Sequence, residues 1–357
     1  MHFELTDDRR MLADTLNRFL TDTYGIEHRN KVAYEAPFHD PAKWAELAEL
    51  GPLFALVPEE QGGFGGAGFD IATVFEPLGR ALCPEPVLPA LMAARLLAAA
   101  GEDLEPLLSG ATRYAVALGE TDAPYALEDI ATEAAPAGEG WELTGRKSVV
   151  YGGNAAGKFL VAARAGDVIG VYEVDAEDAA VTGYGMIDGG GAAEVFLEKT
   201  KARQVLADAG AALQDALDFG ALALCAEAVG AMDVTYDMTL DYLKTRKQFG
   251  RAIGSFQALQ HRMVEMKTEI EQARSITILA ASRMGTEEQS RTVSMAKNLI
   301  GRAAKLVAEE AIQMHGGIAM TWEYPASHYA KRLVMIDHQL GDTDHHLEKV
   351  MAGLQVA

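Results

Sequence analysis

Residues 246–261 read RKQFGRAIGSFQALQH and stand where a long apolar helix pattern ends in a glycine turn. The helix closes on three cations, Lys244, Arg246 and Lys247. Cations at a helix carboxyl end are favoured by the helix dipole, which is the simplest interpretation of such a group. Here they are followed by two phenylalanines and three glutamines. Because an arginine fork suits a pyrophosphate, and aromatic and amide groups suit a heteroaromatic ring, the stretch favours a nucleotide cofactor.

A second stretch, EEAIQMHGGIAMTWEYP, covers residues 309–325 and carries adjacent glycines at 316 and 317. A glycine pair after a helix is usually a carboxyl cap and nothing more. The same pair also lets another backbone approach closely, or lets main-chain N–H groups face a phosphate. The pair alone leaves both interpretations open.

The chain has 357 residues, of which 49% are hydrophobic, so it can bury a large core in two or three packed parts. Its net charge of −21 argues against a nucleic-acid binder and against binding to an anionic membrane. A phosphorylated ligand is still compatible with that charge where a few cations are concentrated in one place.

Compartment signals are sparse in this sequence. The two cysteines, Cys83 and Cys225, are far apart, and Cys225 lies in an apolar run typical of a buried core position. The amino terminus has acids and no apolar segment of the signal-peptide type, and no stretch is long and apolar enough to span a membrane. We therefore expect a cytoplasmic protein.

Residues 1–108 have the pattern of an N-terminal helical domain. Leu12, Leu16 and Leu20 recur at helical spacing, and Pro41 suits the first position of another helix. Five glycines within 59–68 predict a loop, and Gly101 predicts a helix carboxyl cap.

Residues 109–206 consist of short β-branched and aromatic runs separated by glycine and acidic turns, which predicts a middle antiparallel β domain. Within it, ATEAAPAGEG (131–140) is expected to be a flexible loop. Residues 207–357 return to long helices with apolar stripes, which predicts a C-terminal four-helix bundle. The fold class expected is thus α+β, in the order helices, strands, helices.

The two quoted stretches together resemble the acyl-CoA dehydrogenase family, and the resemblance covers nearly the whole chain. RKQFG followed by FQALQH matches the signature before the family's second bundle helix. QMHGGIAMTWEYP matches its late signature, and LVPEEQGGFGGAGFD (56–70) is similar to its amino-terminal loop.

The resemblance implies an FAD site between the β domain and the helical bundles, partly supplied by a neighbouring subunit. It places Arg246 and Gln248 at the pyrophosphate of the partner's FAD. The remaining positions implied to hold FAD are Phe249, Phe256, Gln257, Gln313, Gly316, Gly317 and Thr343. No metal is implied.

The implied reaction is α,β-dehydrogenation of an acyl-CoA thioester, with electrons leaving to an electron-transferring flavoprotein. A carboxylate removes the α-proton. The family's loop glutamate aligns with Gly341 in LGDT (340–343), and Asp342 lies one residue along. The family's alternative position falls near Gly220, where Asp218 is close but out of register. Glu227, two turns on, is expected to face solvent or a neighbouring helix.

The β domain also departs from the family pattern. The flavin-contacting segment becomes GETDAPYALED (119–129), and the tryptophan and threonine that usually touch the flavin ring become Val149 and Tyr151. The ring and base positions have therefore changed, whereas the nucleotide positions are retained.

This asymmetry favours one subunit of a heteromer. The family has an α2β2 branch acting on bulky CoA thioesters such as steroid side chains, in which one subunit supplies the base. We expect this chain to be the subunit without the base. The alternatives are a homotetramer that uses Asp342 as its base, and a flavin-free structural partner.

The cluster MIDHQLGDTDHH (335–346) holds three histidines among aspartates. His338 and His345 are seven residues apart and His345 and His346 are adjacent, a spacing that does not converge on a metal as H-x-x-x-H does. We expect instead a helix start, with Asp342 or Thr343 as its N-cap.

Overall fold

The computed structural model describes residues 6–355. Seven helices precede the sheet: α1 (Asp7–Thr23), α2 (Ile26–Tyr34), α3 (Pro41–Glu49), α4 (Pro52–Ala55), α5 (Gly68–Ala81), α6 (Val87–Ala99) and α7 (Glu105–Leu108). The Asp40 carboxylate accepts hydrogen bonds from the first turn of α3, which has Pro41 at its first position. Gly101, at φ +71, follows α6, as its cap position predicts.

The middle of the chain forms a seven-stranded sheet: β1 (Tyr114–Ala117), β2 (Glu133–Ala137), β3 (Gly140–Tyr151), β4 (Lys158–Ala165), β5 (Val168–Asp175), β6 (Ala180–Gly185) and β7 (Gly191–Leu206). The strand order is β1-β4-β2-β3-β7-β5, with β6 on β7 and β5 also paired with β4. Most pairs are antiparallel, but β1 and β2 each pair with β4 in parallel. The flexible loop expected at 131–140 is wrong, because Glu133–Ala137 is strand β2 and pairs along its length with β3.

The core of the sheet is centred on β4 and β7. Phe159, Val161 and Ala163 on β4 are fully buried, as are Ala193 and Val195 on β7. The residues between the three on β4 are fully buried as well, so this strand is buried on both faces. Burial of these side chains fixes the register of the long β3–β7 pair, whose irregularities matter below.

After the sheet come α8 (Gly210–Thr245), a short hairpin of β8 (Lys247–Gln248) and β9 (Arg251–Ala252), α9 (Gln257–Arg283), α10 (Gln289–His315), α11 (Ala326–His338) and α12 (Thr343–Gln355). Helix α10 packs against α9, α11 and α12. Cys225 on α8 is fully buried, as its apolar surroundings predict, and burial raises the pKa of its thiol to about 12. The predicted α+β order of helices, sheet and helical bundle is confirmed.

The chain forms two compact units, each assembled from separate segments. One contains α1, α5 and the chain from Ala221 onward; the other contains Glu27–Ala67 and Pro84–Gly220. The division into domains 1–108, 109–206 and 207–357 stays a prediction. Among residues 6–355, no helix has the length and apolar character needed to cross a membrane.

Candidate functional site

The first predicted stretch forms the β8–β9 hairpin, which projects from the end of α8. Its two turn residues, Phe249 and Gly250, have φ of +52° and +77°. Two positive φ values are the mark of a tight hairpin turn whose twist matches the strands, but a residue other than glycine adopts them at a cost. The Phe249 side chain is 91% exposed. The hairpin tip therefore combines a strained backbone with an exposed aromatic ring.

Cations and a second ring surround this tip. Arg246, Lys247 and Gln248 are exposed. The Arg251 guanidinium lies 4.1 Å from the centre of the Phe256 ring, and the Phe249 and Phe256 rings meet edge to face at 6.1 Å. The structure thus brings three predicted residues, Arg246, Phe249 and Phe256, into one hairpin. Arg251 was not predicted as a site residue, although its place two residues after Phe249 on a two-residue turn could have indicated it.

The second stretch follows α10. Gly316 has φ +69° and ψ −149°, a conformation that essentially only glycine adopts. Gln313, Gly316 and Gly317 are exposed, and a Cβ added to either glycine would meet no atom within 4 Å. Gly316 caps α10, with its backbone N–H bonded to the Ile312 carbonyl oxygen, and the pair also leaves an open length of backbone at the surface.

An aromatic stack joins the two stretches. The His315 ring lies 4.6 Å from the ring of Tyr242, at the end of α8, and 5.1 Å from that of Tyr324. His315 is buried, its Nδ1 lies 2.8 Å from the Ala311 carbonyl oxygen, and burial lowers its pKa. Sequence reasoning missed this residue. Its position next to the glycine pair was the available signal.

These groups fit a phosphorylated ligand that carries an aromatic ring. Exposed cations stand together on a chain whose net charge is −21. Exposed phenylalanine and glutamine side chains flank them, and an open glycine backbone lies on the same packed helices. Charge-assisted hydrogen bonds from arginine to a pyrophosphate, and stacking on the rings, are the interactions this set can make.

The loop that aligns with the family's base position is held by buried side chains, in contrast to the exposed hairpin. Leu340 and Gly341, between α11 and α12, have φ of +56° and +103°. Beneath them the fully buried Lys297 donates three hydrogen bonds of 2.8–2.9 Å, to the carbonyl oxygens of Ile336, Asp337 and Gly341. Burial lowers the pKa of Lys297 to about 8. The lysine replaces the helix hydrogen bonds that α11 lacks at its end.

His346 holds the other side of this loop. Its Nε2 lies 3.1 Å from the Leu340 carbonyl oxygen and its Nδ1 lies 3.2 Å from the Ser294 hydroxyl. Burial and the charge of Lys297 lower the pKa of His346 to about 3, so the ring is neutral. A Cβ on Gly341 would lie 2.6–2.7 Å from the rings of His345 and His346. The loop therefore has no room for a glutamate at the aligned position.

Asp342 is engaged as a helix cap. One of its carboxylate oxygens accepts a hydrogen bond of 2.9 Å from the His345 backbone N–H, in the first turn of α12. The predicted N-cap role of Asp342 is confirmed. Thr343 donates from its hydroxyl to Asp337 at 2.7 Å, and its carbonyl accepts from Asn298. Part of the hydrogen-bonding capacity of both predicted residues is therefore used within the chain.

Acids at the family's alternative position are engaged too. Asp218 is buried and accepts a hydrogen bond of 2.8 Å from Gln214, one turn earlier on α8. Glu227 is also buried and forms a two-point ion pair with Arg332 of α11, at 2.6 and 2.8 Å. Of the two expectations for Glu227, the neighbouring helix is therefore the one that the structure confirms.

In the β domain, Glu120 of the altered segment 119–129 also faces inward. It accepts hydrogen bonds from the fully buried Lys147 at 2.7 Å, and from the Thr132 hydroxyl at 2.6 Å. Burial lowers the pKa of Lys147 to about 8 in spite of this partner. Val149, at the altered ring position, has φ +51° and is 39% exposed.

Comparison with known proteins gives consistent matches along the chain. A model described as the acyl-CoA dehydrogenase N-terminal domain matches residues 6–104, and one described as the C-terminal domain matches residues 209–355. The acyl-CoA dehydrogenase IpdE2 of Mycobacterium tuberculosis is 32% identical over 329 residues, which is 91% of this chain and 91% of that protein.

Solved structures agree in fold. The ChsE4-ChsE5 complex from Mycobacterium tuberculosis is similar with a TM-score of 0.91 and 26% identity, over 100% of both chains. A variant of the Tcur3481-Tcur3483 steroid ACAD is similar with a TM-score of 0.90 and 28% identity, over 98% of this chain and 99% of that one.

Proposed function

This chain belongs to the acyl-CoA dehydrogenase family, and we propose that it takes part in FAD-dependent α,β-dehydrogenation of an acyl-CoA thioester as the subunit without a base in a heteromeric enzyme. One observation carries the proposal. The nucleotide-side stretches of the chain are exposed, whereas Asp342, Asp218 and Glu227 each accept hydrogen bonds from within the chain.

The hairpin and the glycine pair would hold the nucleotide of an FAD shared with the neighbouring subunit. Arg246 would pair with the pyrophosphate, assisted by Gln248 and by Arg251. Phe249, Phe256 and Gln257 would flank the ring portions. Gln313, Gly316 and Gly317 would meet the adenosine end, and Thr343 would lie near the same cofactor. When bound, FAD supplies the acceptor for the hydride from the β-carbon.

Proton removal is then assigned to the partner subunit. A general base has to come within hydrogen-bonding distance of the proton it takes. The aligned position here is Gly341, where a Cβ would already overlap His345 and His346. Asp342, Asp218 and Glu227 each hold a position in the fold through their carboxylates. The electron acceptor proposed is an electron-transferring flavoprotein.

The heteromeric arrangement and the substrate class are supported by the related proteins. Two of the structures most like this chain carry paired names, ChsE4-ChsE5 and Tcur3481-Tcur3483, and the second is called a steroid ACAD. By analogy, we propose an α2β2 tetramer acting on a bulky, steroid-type acyl-CoA.

The competing reading is a homotetramer in which Asp342 is the base. Asp342→Asn separates the two, because asparagine caps a helix about as well as aspartate and leaves α12 intact. In the complex obtained by co-expression with the products of neighbouring genes, we expect turnover within about twofold of wild type and an unchanged Tm. A loss of turnover of about a hundredfold or more, at unchanged Tm, would assign the base to Asp342 and overturn the proposal.

A further inference from the structure

Strands β3 and β7 lose their regular register between Lys147 and Val150. In this β-bulge, β3 has one extra residue, so that Ser148 and Val149 together lie opposite the single residue Glu194 of β7. Val149 sits at φ +51°, where a β-branched side chain is a genuine outlier. Such a conformation persists only where the surrounding structure determines it through several contacts.

Those contacts come from a single carboxylate on the opposite strand. Glu194 accepts from the Ser148 hydroxyl at 2.9 Å, from the Val149 backbone N–H at 3.3 Å and from the Tyr184 hydroxyl at 3.2 Å. The Arg146 guanidinium donates to its other oxygen, with Nε at 2.9 Å and a terminal nitrogen at 2.7 Å. Four residues on two strands, three on β3 and one on β6, therefore aim their donors at one carboxylate on β7.

Two of the four donors, Arg146 and Tyr184, have packing or pairing contacts besides the carboxylate. Arg146 lies over the Phe196 ring at 5.1 Å, and β6, which carries Tyr184, pairs with β7 along its whole length. The Glu194 side chain is 16% exposed. Burial opposes its charge, but hydrogen bonds from Ser148 and Arg146 outweigh burial and lower its pKa. Burial and the Glu194 charge raise the pKa of Tyr184 to about 12, so the phenol keeps its proton.

We propose that the bulge at Ser148–Val149 is a carboxylate-binding site that this chain fills with its own Glu194, which closes the site to any outside acceptor. A guanidinium, two hydroxyls and a backbone N–H around one point are the donor set that binds a carboxylate. The assignment stands on this geometry. The site includes Val149, which aligns with a flavin-ring position of the family. Its identification with this chain's own flavin-ring face therefore rests on the proposed function.

Glu194→Ala tests the assignment by opening the site for acetate, the probe that replaces the missing carboxylate. We expect the variant to lose about 2 to 4 °C in Tm. Sodium acetate at about a hundred millimolar should return at least half of that loss, while sodium chloride at equal ionic strength returns none. Acetate that leaves Tm of the variant unchanged, or raises wild type equally, would overturn the proposal.

Two further variants sharpen the result. Glu194→Gln fills the same space with an amide, so it should lose Tm without recovering it in acetate. Adding Tyr184→Phe to Glu194→Ala should remove at least half of the acetate response. If Glu194→Ala alone does not fold, the titration is made on the double variant with Val149→Gly, in which glycine tolerates the positive φ.

The outcome is separable from that for the proposed function. A full acetate response, together with complete FAD occupancy of the isolated wild-type chain, would support the carboxylate site and contradict the proposed subunit role. No acetate response, together with a flavin-free isolated chain, would contradict the carboxylate site and support the proposed subunit role.

Discussion

The hairpin at 247–252 and the loop at 339–342 lie in the same helical unit and have opposite designs. The hairpin ends in a phenylalanine that is 91% exposed, with cations beside it. In the loop, the carbonyl oxygen of Gly341 is bonded to the Lys297 ammonium, and that of Leu340 lies within hydrogen-bonding distance of the His346 ring. Both use positive φ values, so both are strained. In the hairpin the strain projects a side chain outward, whereas in the loop it turns backbone carbonyls inward.

This difference is consistent with a family member that keeps the nucleotide side of a shared site and lacks its base. Under the proposed function, residues that serve a neighbouring subunit have to stay exposed in the isolated chain. A loop without a base can instead be built into the core, as the hydrogen bonds from the buried Lys297 to three carbonyl oxygens show. Four variants test the contrast in order of expected effect.

Lys297→Met should cost the most. It removes the Lys297 donor from three carbonyl oxygens, of which that of Ile336 keeps the Gln339 backbone N–H at 3.3 Å. Loss of this donor from the other two costs about 1 to 3 kcal/mol each, offset in part because the buried ammonium is no longer desolvated. We expect a loss of about 3 kcal/mol in the free energy of unfolding, measured by urea denaturation. Lys305→Met, on the exposed face of the same helix, is the matched control and should change it by less than about 0.5 kcal/mol. Equal effects in the two variants would show that the loop is not held by Lys297.

Gly341→Glu places a glutamate at the position where the family has its base, but we expect it to destabilise the chain. At φ +103°, with a Cβ 2.6–2.7 Å from two histidine rings, the glutamate should cost about 2 kcal/mol or more. It should also add no turnover. Gly353→Ala, in α12 with no atom near its Cβ, should instead stabilise by about 0.5 to 1 kcal/mol. A stable, more active Gly341→Glu enzyme would contradict the inward design of the loop.

His346 should make stability depend on pH on the acid side. Its pKa is about 3 in the folded chain against an ordinary value of 6.5, so on acidification the unfolded chain takes up the proton first. Its contribution is therefore complete above pH 6.5 and is lost as pH falls toward 3, at about 1.4 kcal/mol per pH unit. Between pH 6.5 and 4, His346→Gln should make the free energy of unfolding depend less steeply on pH. The slope should fall by about 1.4 kcal/mol per pH unit, which corresponds to one proton. Parallel profiles for the two proteins would rule out this role.

Phe249→Gly should have the smallest effect on stability and the opposite sign. Removing the left-handed strain should stabilise the chain by about 0.5 to 1 kcal/mol. The complex should nevertheless bind FAD about tenfold more weakly, because a stacked ring is worth about 1 to 3 kcal/mol. Met11→Ala, which removes another exposed apolar side chain, should leave FAD affinity unchanged. FAD affinity that is unaffected by Phe249→Gly would separate the hairpin from the cofactor.

Local patterns were enough for much of the fold. The helix start at Pro41, the Asp342 cap and the buried Cys225 follow from residue type and neighbours along the chain. Strand β2 was not predicted because Glu133–Ala137 consists of alanines, a glutamate and a proline, with no β-branched residue. It is a strand only because β3 pairs with it.

The residues that shape the candidate site beyond its motifs could not be read in this way. Lys297 and Glu194 bind partners 10 to 48 positions away, and His315 contacts a ring from another helix. A lysine in a helix pattern predicts an exposed cation, so its burial under a distant loop leaves no local signal. Their roles are set by the packing of elements that lie far apart in sequence.

The visible absorption spectrum, measured together with acyl-CoA dehydrogenase turnover, tests the central claim most directly. It compares this chain purified alone with the complex co-purified from co-expression with its neighbouring gene products. We predict no flavin band and no turnover for the chain alone, and both for the complex. A yellow, fully FAD-loaded and active chain in the absence of any partner would contradict the account.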